Sequence, residues 1–152
     1  MIILEFIVAM FATVSFAILF NAPKKDVLSC GLTGALGWIV YYAMTTHGSH
    51  SVLASLIATF CLTILARCLA VIQKNPVTMY ILPGIFPLVP GAGIYYTAYY
   101  LFIGNNEMSG FKGLETLEIA GAIVFGLIFG FGIPQRWFHK LSPKKMDLNE
   151  ES

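Results

Sequence analysis

Apolar residues run along this chain in five blocks, at about Ile2 to Phe20, Val27 to Thr46, Val52 to Ile72, Val77 to Ile103 and Leu117 to Ile133, with short polar connections between them. Each block has roughly the ~20 residues that an α-helix needs to cross a bilayer core. The pattern predicts an all-α integral membrane protein of about five transmembrane helices. The fourth block is unlike the others, because Pro83, Pro87, Pro90, Gly84, Gly91 and Gly93 place six helix breakers within eleven residues. Such density prevents a continuous hydrogen-bonded helix. Non-helical backbone at membrane depth persists only where protein or a water-filled cavity covers its free N–H and C=O groups. The fourth helix is therefore expected to be broken, and the break to line a solute pathway. A kink that merely fits neighbouring helices is the plainer alternative, but a single kink requires fewer breakers.

Composition supports the membrane reading, since 57% of the residues are hydrophobic and only 11% charged, too few for an ordinary water-exposed surface. Charge placement sets an orientation. Lys24 and Lys25 follow the first block, Arg67 and Lys74 close the third, and Arg136, Lys140, Lys144 and Lys145 follow the fifth. With five crossings these connections share one side, eight of nine basic residues face it, and the positive-inside rule makes it the cytoplasm. The N-terminus is then expected outside and the C-terminus inside. A re-entrant fourth block would put the basic cluster from Arg136 to Lys145 outside, so a single broken crossing is preferred. Tyr41, Tyr42, Tyr99 and Tyr100 suit the outer boundary, and Trp137 and Phe138 the inner one. A cleaved signal peptide is disfavoured for the first block, because Glu5 stands where basic residues belong and Lys24 and Lys25 come after it. The expected organisation is a transmembrane domain over residues 1–138 and a polar cytoplasmic tail over 139–152, which has almost nothing apolar to bury and is expected to be disordered.

Small residues cluster at Gly31, Gly34, Ala35 and Gly37, and Gly126 and Gly130 form a G-x-x-x-G pair. Both patterns let helix backbones approach closely in lipid, within the chain or against a partner. Chemistry is sparse. Cys30, Cys61 and Cys68 lack the spacing of a zinc or disulfide framework, and His47 and His50 have no third ligand beside them. The acidic residues all fall at block ends, in connections or in the tail, so a proton-coupling carboxylate is expected on another chain. Glu115 and Glu118 are placed at the start of the fifth span, where the helix dipole favours them. Arg67 is the one basic residue inside an apolar block, either snorkelling to the interface or pairing with a carboxylate. Asn75 and Pro76 end its helix, Thr78 offers a hydroxyl at the mouth of the next, and Tyr95 and Tyr96 follow the break. Half-helix ends of that kind hold anionic groups in transporters.

The run NPVTMYILPGIFPLVPGAGIYYTAYY, with Arg67 before it and the NAPKK turn at Asn21 to Lys25, resembles the threonine/serine exporter family, in its separately encoded small-subunit form. The likeness covers nearly the whole chain and corresponds to the C-terminal half of single-chain members, which have about ten spans. It implies secondary export of small amino acids such as threonine and serine, and in split members of the dicarboxylate succinate. It implies too a larger partner subunit similar to the family's N-terminal half, and a multi-pass location in the cell inner (plasma) membrane.

The expected function is thus the small subunit of an exporter for carboxylate-bearing solutes, with a pathway formed by Arg67, Asn75, Thr78, Pro83, Gly84, Pro87, Pro90, Gly91, Gly93, Tyr95 and Tyr96. The alternative is an accessory membrane subunit that stabilises or regulates a transporter without lining the pathway. No G-x-x-x-x-G-K-[ST] run and no nucleophile–base or paired-carboxylate arrangement argues for an ATPase or another enzyme. No cofactor, metal or nucleic acid is expected. The partners are the bilayer, the solute, the large subunit and, as a further option, a second copy of the chain.

Overall fold

A computed structural model of the chain describes residues 1–139. The tail expected over 139–152 lies outside them from residue 140 on, with Lys140, Lys144 and Lys145, as does the side chain of Trp137. The chain is helical along its described length: α1 (Ile2–Leu19), α2 (Val27–Thr46), α3 (Ser51–Gln73), α4 (Thr78–Ile85), a 3-10 turn (Phe86–Leu88), α5 (Gly91–Phe102), α6 (Asn106–Gly132) and α7 (Arg136–His139). Four of these helices are long and apolar enough to cross a membrane, and five spans result if the bent unit from Thr78 to Phe102 is one pass. Gly48 and Gly104 end α2 and α5 at φ +86° and +78°, the left-handed conformation that glycine adopts at least cost.

The fifth span departs from expectation at its start. It begins at Asn106 rather than Leu117, so Glu115 and Glu118 lie in its third and fourth turns, not at its N-terminus. The cause is local. The side chain of Asn105 accepts a hydrogen bond from the Met108 amide at 3.1 Å and caps a helix whose first three turns are polar.

Pairs of touching residues fix the helix directions. Glu5 meets Trp38, and a Cβ on Gly31 would stand 2.6 Å from Val14, so α1 and α2 are antiparallel. A Cβ on Gly37 would stand 2.8 Å from Leu62, and Gln73 meets Ser29, so α2 and α3 are antiparallel too. Between α3 and α6 the numbers rise together: Gly126 lies against Leu56 and Thr59, Gly130 against Thr63, and Arg67 reaches Gly130 and Ile133. Those two helices are parallel. The unit between them must therefore return the chain from one end of the bundle to the other, whereas a re-entrant hairpin would have left α6 antiparallel to α3. It is a single broken pass, bent by 49°.

Small residues make up much of the interior, around a few large ones such as Leu62 and Tyr80. Ala17, Cys30, Ala35, Ala54, Ala58 and Ala66 are fully buried, beside Thr13, Thr33, Thr59 and Thr63, while Phe11, Phe125, Ile128 and Phe129 point outward. Each buried threonine returns its hydroxyl to the carbonyl four residues earlier, at 2.7–2.8 Å, so none is left unpaired. This is the packing expected where close backbone approach, not burial of large side chains, holds helices together. A Cβ on Gly126 would stand 2.6 Å from the Leu56 carbonyl oxygen and 2.9 Å from Thr59 Cβ. Backbone cannot yield there as a side chain would. Gly126→Ala should cost about 1–3 kcal/mol and lower the unfolding temperature in detergent. Gly121→Ala, which faces open space, should leave it level or raise it through better helix propensity. The same shift in both variants would refute the close contact.

Candidate functional site

Proline chemistry shapes the break. Val89 precedes Pro90 and is pushed out of the helical region, to φ −61° and ψ 130°. Pro90 has no N–H to give, and α5 restarts at Gly91. The Gly91 amide turns back to Val89 O at 2.7 Å, and Ile94 N donates to Pro90 O at 3.1 Å. The amides of Ala92 and Gly93 find no acceptor outside their own helix among the described residues, as the first turn of a helix requires. They form a partly positive end that favours an anion. On the other flank, Phe86 stacks on Phe16 of α1 with ring centroids 4.0 Å apart, which anchors the 3-10 turn.

Beside this break lies a cavity of about 360 Å³. Trp38 and Tyr41 of α2, Ser51 and Ser55 of α3, the backbone from Pro87 to Gly93, Tyr96 of α5, and Lys112, Glu115, Thr116 and Ile119 of α6 form its walls. Glu5 fixes one wall by accepting from Trp38 Nε1 at 2.9 Å, and Tyr41 lies beside the indole with centroids 5.3 Å apart. Lys112 Nζ and Glu115 Oε2 are 2.8 Å apart, three residues apart on one helix face. Both are partly exposed, so the pair adds little to stability and keeps its charges available. Ser55 and Thr116 donate their hydroxyl protons to Ser51 O and Lys112 O, leaving oxygen lone pairs to accept. One cavity thus presents an anion-favouring helix end and a lysine, a carboxylate, hydroxyl oxygens and aromatic faces.

Helix α5 reaches its place through a close approach to α6. A Cβ on Gly93 would run into Thr116 Oγ1, and one on Gly113 would stand 3.3 Å from Thr97. Ser109 Oγ donates to Thr97 O at 2.9 Å, tying the same two helices further along.

Of the residues singled out from sequence, Pro87, Pro90, Gly91, Gly93 and Tyr96 come together around the cavity. Pro83 and Gly84 sit next to it in α4 but are buried, Gly84 against Leu62, Thr33 and Gly34. Tyr95 is exposed and stacks along the helix with Tyr99. Asn75, Thr78 and Arg67 lie at the other end of the bundle. Thr78 is exposed, and Asn75 donates to Tyr80 Oη at 3.0 Å. Arg67 is buried, but its partners are carbonyls. One guanidinium nitrogen donates to Gly130 O and Ile133 O, both at 2.7 Å, and to Phe131 O at 3.3 Å, while the group lies 4.4 Å from the centroid of the Phe138 ring. It caps the C-terminal end of α6, whose last carbonyls have no partner within the helix, and no carboxylate pairs with it among the described residues.

Sequence reasoning did not bring Trp38, Ser51, Ser55, Lys112, Glu115 or Thr116 to this site. For the last three a signal existed. An Asn N-cap at 105 extends the helix back through the polar stretch and puts residues 112, 115 and 116 on the face turned to the break.

No solved structure matches this chain. Residues 5–131 match the model of the family described as Threonine/Serine exporter, ThrE, a span that takes in every helix forming the cavity. A multi-pass helical chain with a broken fourth pass, matched over most of its length, belongs to the threonine/serine exporter family of transporters.

Proposed function

We propose that the cavity beside the break binds a small zwitterionic amino acid, of the threonine or serine kind, and that the chain is the small subunit of a two-part secondary exporter in the cell inner (plasma) membrane. The observation that carries this reading is the meeting of opposite charges in one small space. The free amides at the start of α5, with Lys112, suit the solute carboxylate, and Glu115 three residues on suits its ammonium. The oxygens of Ser51, Ser55 and Thr116 suit a side-chain hydroxyl. A volume of about 360 Å³ belongs at the small end of ligand pockets, about 300–1,000 Å³. A dicarboxylate such as succinate is less well served, because Glu115 repels its second charge.

The need for a larger partner subunit is supported by α5, which lines the cavity yet buries no residue of its own. A site at the interface of two halves is the common arrangement where broken helices bind solute. Lys24, Lys25, Lys74 and Arg136 gather at the end of the bundle away from the cavity, so the positive-inside rule puts that end in the cytoplasm and opens the cavity toward the outer half.

Efflux of labelled threonine, serine and succinate should be followed from cells expressing this chain, a candidate large subunit, or both. Efflux of threonine and serine only with both is the expected outcome. Equal efflux from the large subunit alone would make this chain accessory, and preferred efflux of succinate would overturn the zwitterion reading.

A further inference from the structure

At the basic end of the bundle, away from the solute cavity, a second hollow of about 420 Å³ lies between the last turn of α3, the turn into α4 and the connection that follows α6. Ala70, Val71 and Val77 give it apolar walls, and Lys74, Asn75 and Gln135 bring its polar groups. Its charge is one-sided. Lys74 is exposed and pairs with no carboxylate among the described residues, and no acidic residue lines the hollow. Asn75 gives one amide hydrogen to Tyr80 Oη at 3.0 Å, which fixes the side chain and leaves the other hydrogen to donate. Gln135 adds a second amide, and Arg136, next in the chain, is exposed as well. The solute cavity sets Glu115 beside Lys112, whereas this hollow offers a cation and amide donors without a carboxylate. It suits an anion rather than a zwitterion.

Lys74 keeps its place at a cost. The amides of Lys74 and Asn75 both turn back to Ala70 O, which puts Lys74 at φ +56°, the left-handed position that glycine takes most easily. The helix dipole favours a lysine anywhere in the last turn. That effect alone does not account for a lysine at the one position of the turn where a side chain is unfavourable.

Depth in the bilayer selects among anions. Helix α3 has 23 residues, about 34 Å at 1.5 Å per residue, close to the ~30 Å of a hydrocarbon core. With Ser51 at one boundary, Lys74 stands at the other, level with lipid phosphates. Ile72 beside it is exposed, as a lipid-facing residue should be. Basic pockets between helices at this level hold anionic headgroups. We propose that the hollow binds the headgroup of an anionic phospholipid, with its phosphate on Lys74 and Asn75 and the upper part of its chains along Val71 and Val77. The bound lipid bridges the turn between α3 and α4 and the segment after α6. This inference needs the membrane setting of the chain but not the identity of its solute.

Thermal unfolding of the purified full chain in neutral detergent, with dioleoylphosphatidylglycerol or dioleoylphosphatidylcholine added, tests the site. Phosphatidylglycerol should raise the unfolding temperature more than phosphatidylcholine does. Lys74→Gln should weaken its apparent affinity about fivefold, the effect of one basic side chain at a lipid surface. Lys25→Gln, which removes an exposed lysine of the same end outside the hollow, should leave that affinity nearly unchanged. Lys74→Gly separates binding from helix capping. Glycine suits the left-handed backbone, so the unfolding temperature without phosphatidylglycerol should hold or rise, while the extra rise with it is lost. A full response to phosphatidylglycerol in K74Q and K74G, an equal response of the wild type to both lipids, or the same weakening in K25Q would each overturn the site. If soluble glycerol phosphate gives the same rise, the hollow takes a free phosphate and the lipid assignment falls.

Discussion

Gly93→Ala is expected to cut threonine efflux about tenfold or more, although it adds a single methyl group. The new Cβ would run into Thr116 Oγ1 and stand 3.3 Å from Thr116 Cβ, in a helix pair that has no slack there. Thr116 cannot swing away freely, because its hydroxyl donates to Lys112 O at 2.7 Å. The simplest relief is for α5 to lift off α6, which moves the Ala92 and Gly93 amides away from Lys112 and Glu115. Overpacking of this kind costs about 1–3 kcal/mol. The decisive measurement is a double-mutant cycle. Thr116→Ala removes the colliding atom, so G93A with T116A should lose clearly less efflux than the two single losses combined. Additive losses, with all variants inserted to equal levels, would show that the approach of α5 to α6 is not what the site depends on.

Glu115→Gln should divide the solutes. It keeps shape and hydrogen bonding but removes the one negative charge placed to meet an ammonium group. Threonine and serine efflux is expected to fall about tenfold, the lower end of what a charge-assisted hydrogen bond supplies, since Glu115 is partly exposed. Succinate efflux should be unchanged or rise, because a repulsive charge has gone. Lys112→Gln should act in the other direction, weakening every carboxylate-bearing solute alike. Parallel losses for threonine and succinate in E115Q would end the assignment of Glu115 to the ammonium. Stability should hardly move, as a partly exposed pair three residues apart contributes little.

Much of the fold was legible because hydropathy is a local property. The first three apolar blocks end within a residue or so of α1, α2 and α3, and the breakers between Pro83 and Gly93 marked the interruption of the fourth pass. The start of α6 was missed because Asn106 to Thr116 is polar, and only the capping geometry of Asn105 reveals that the helix begins there. At the cavity, the backbone was legible and its partners were not. Proline and glycine announce their conformational demands in sequence, whereas Trp38, Ser55 and Glu115 reach the break only through the packing of three separate helices. Arg67 shows the same limit. Its burial was foreseeable, but a guanidinium satisfies carbonyls as readily as carboxylates, and only the parallel course of α3 and α6 puts carbonyl oxygens in front of it.

An interior built largely of alanine, glycine and threonine sets how this chain tolerates change. In a water-soluble protein the damaging core substitutions are mostly truncations that leave holes. Here most buried positions of α2, α3 and α6, Leu62, Arg67 and Ile123 excepted, have little left to remove, and most of the bulky side chains of these helices face outward. The chain is instead intolerant of gained volume. Its variable positions should be the large ones, its constrained positions the smallest, and the record of substitutions it can accept should read as the inverse of a soluble core.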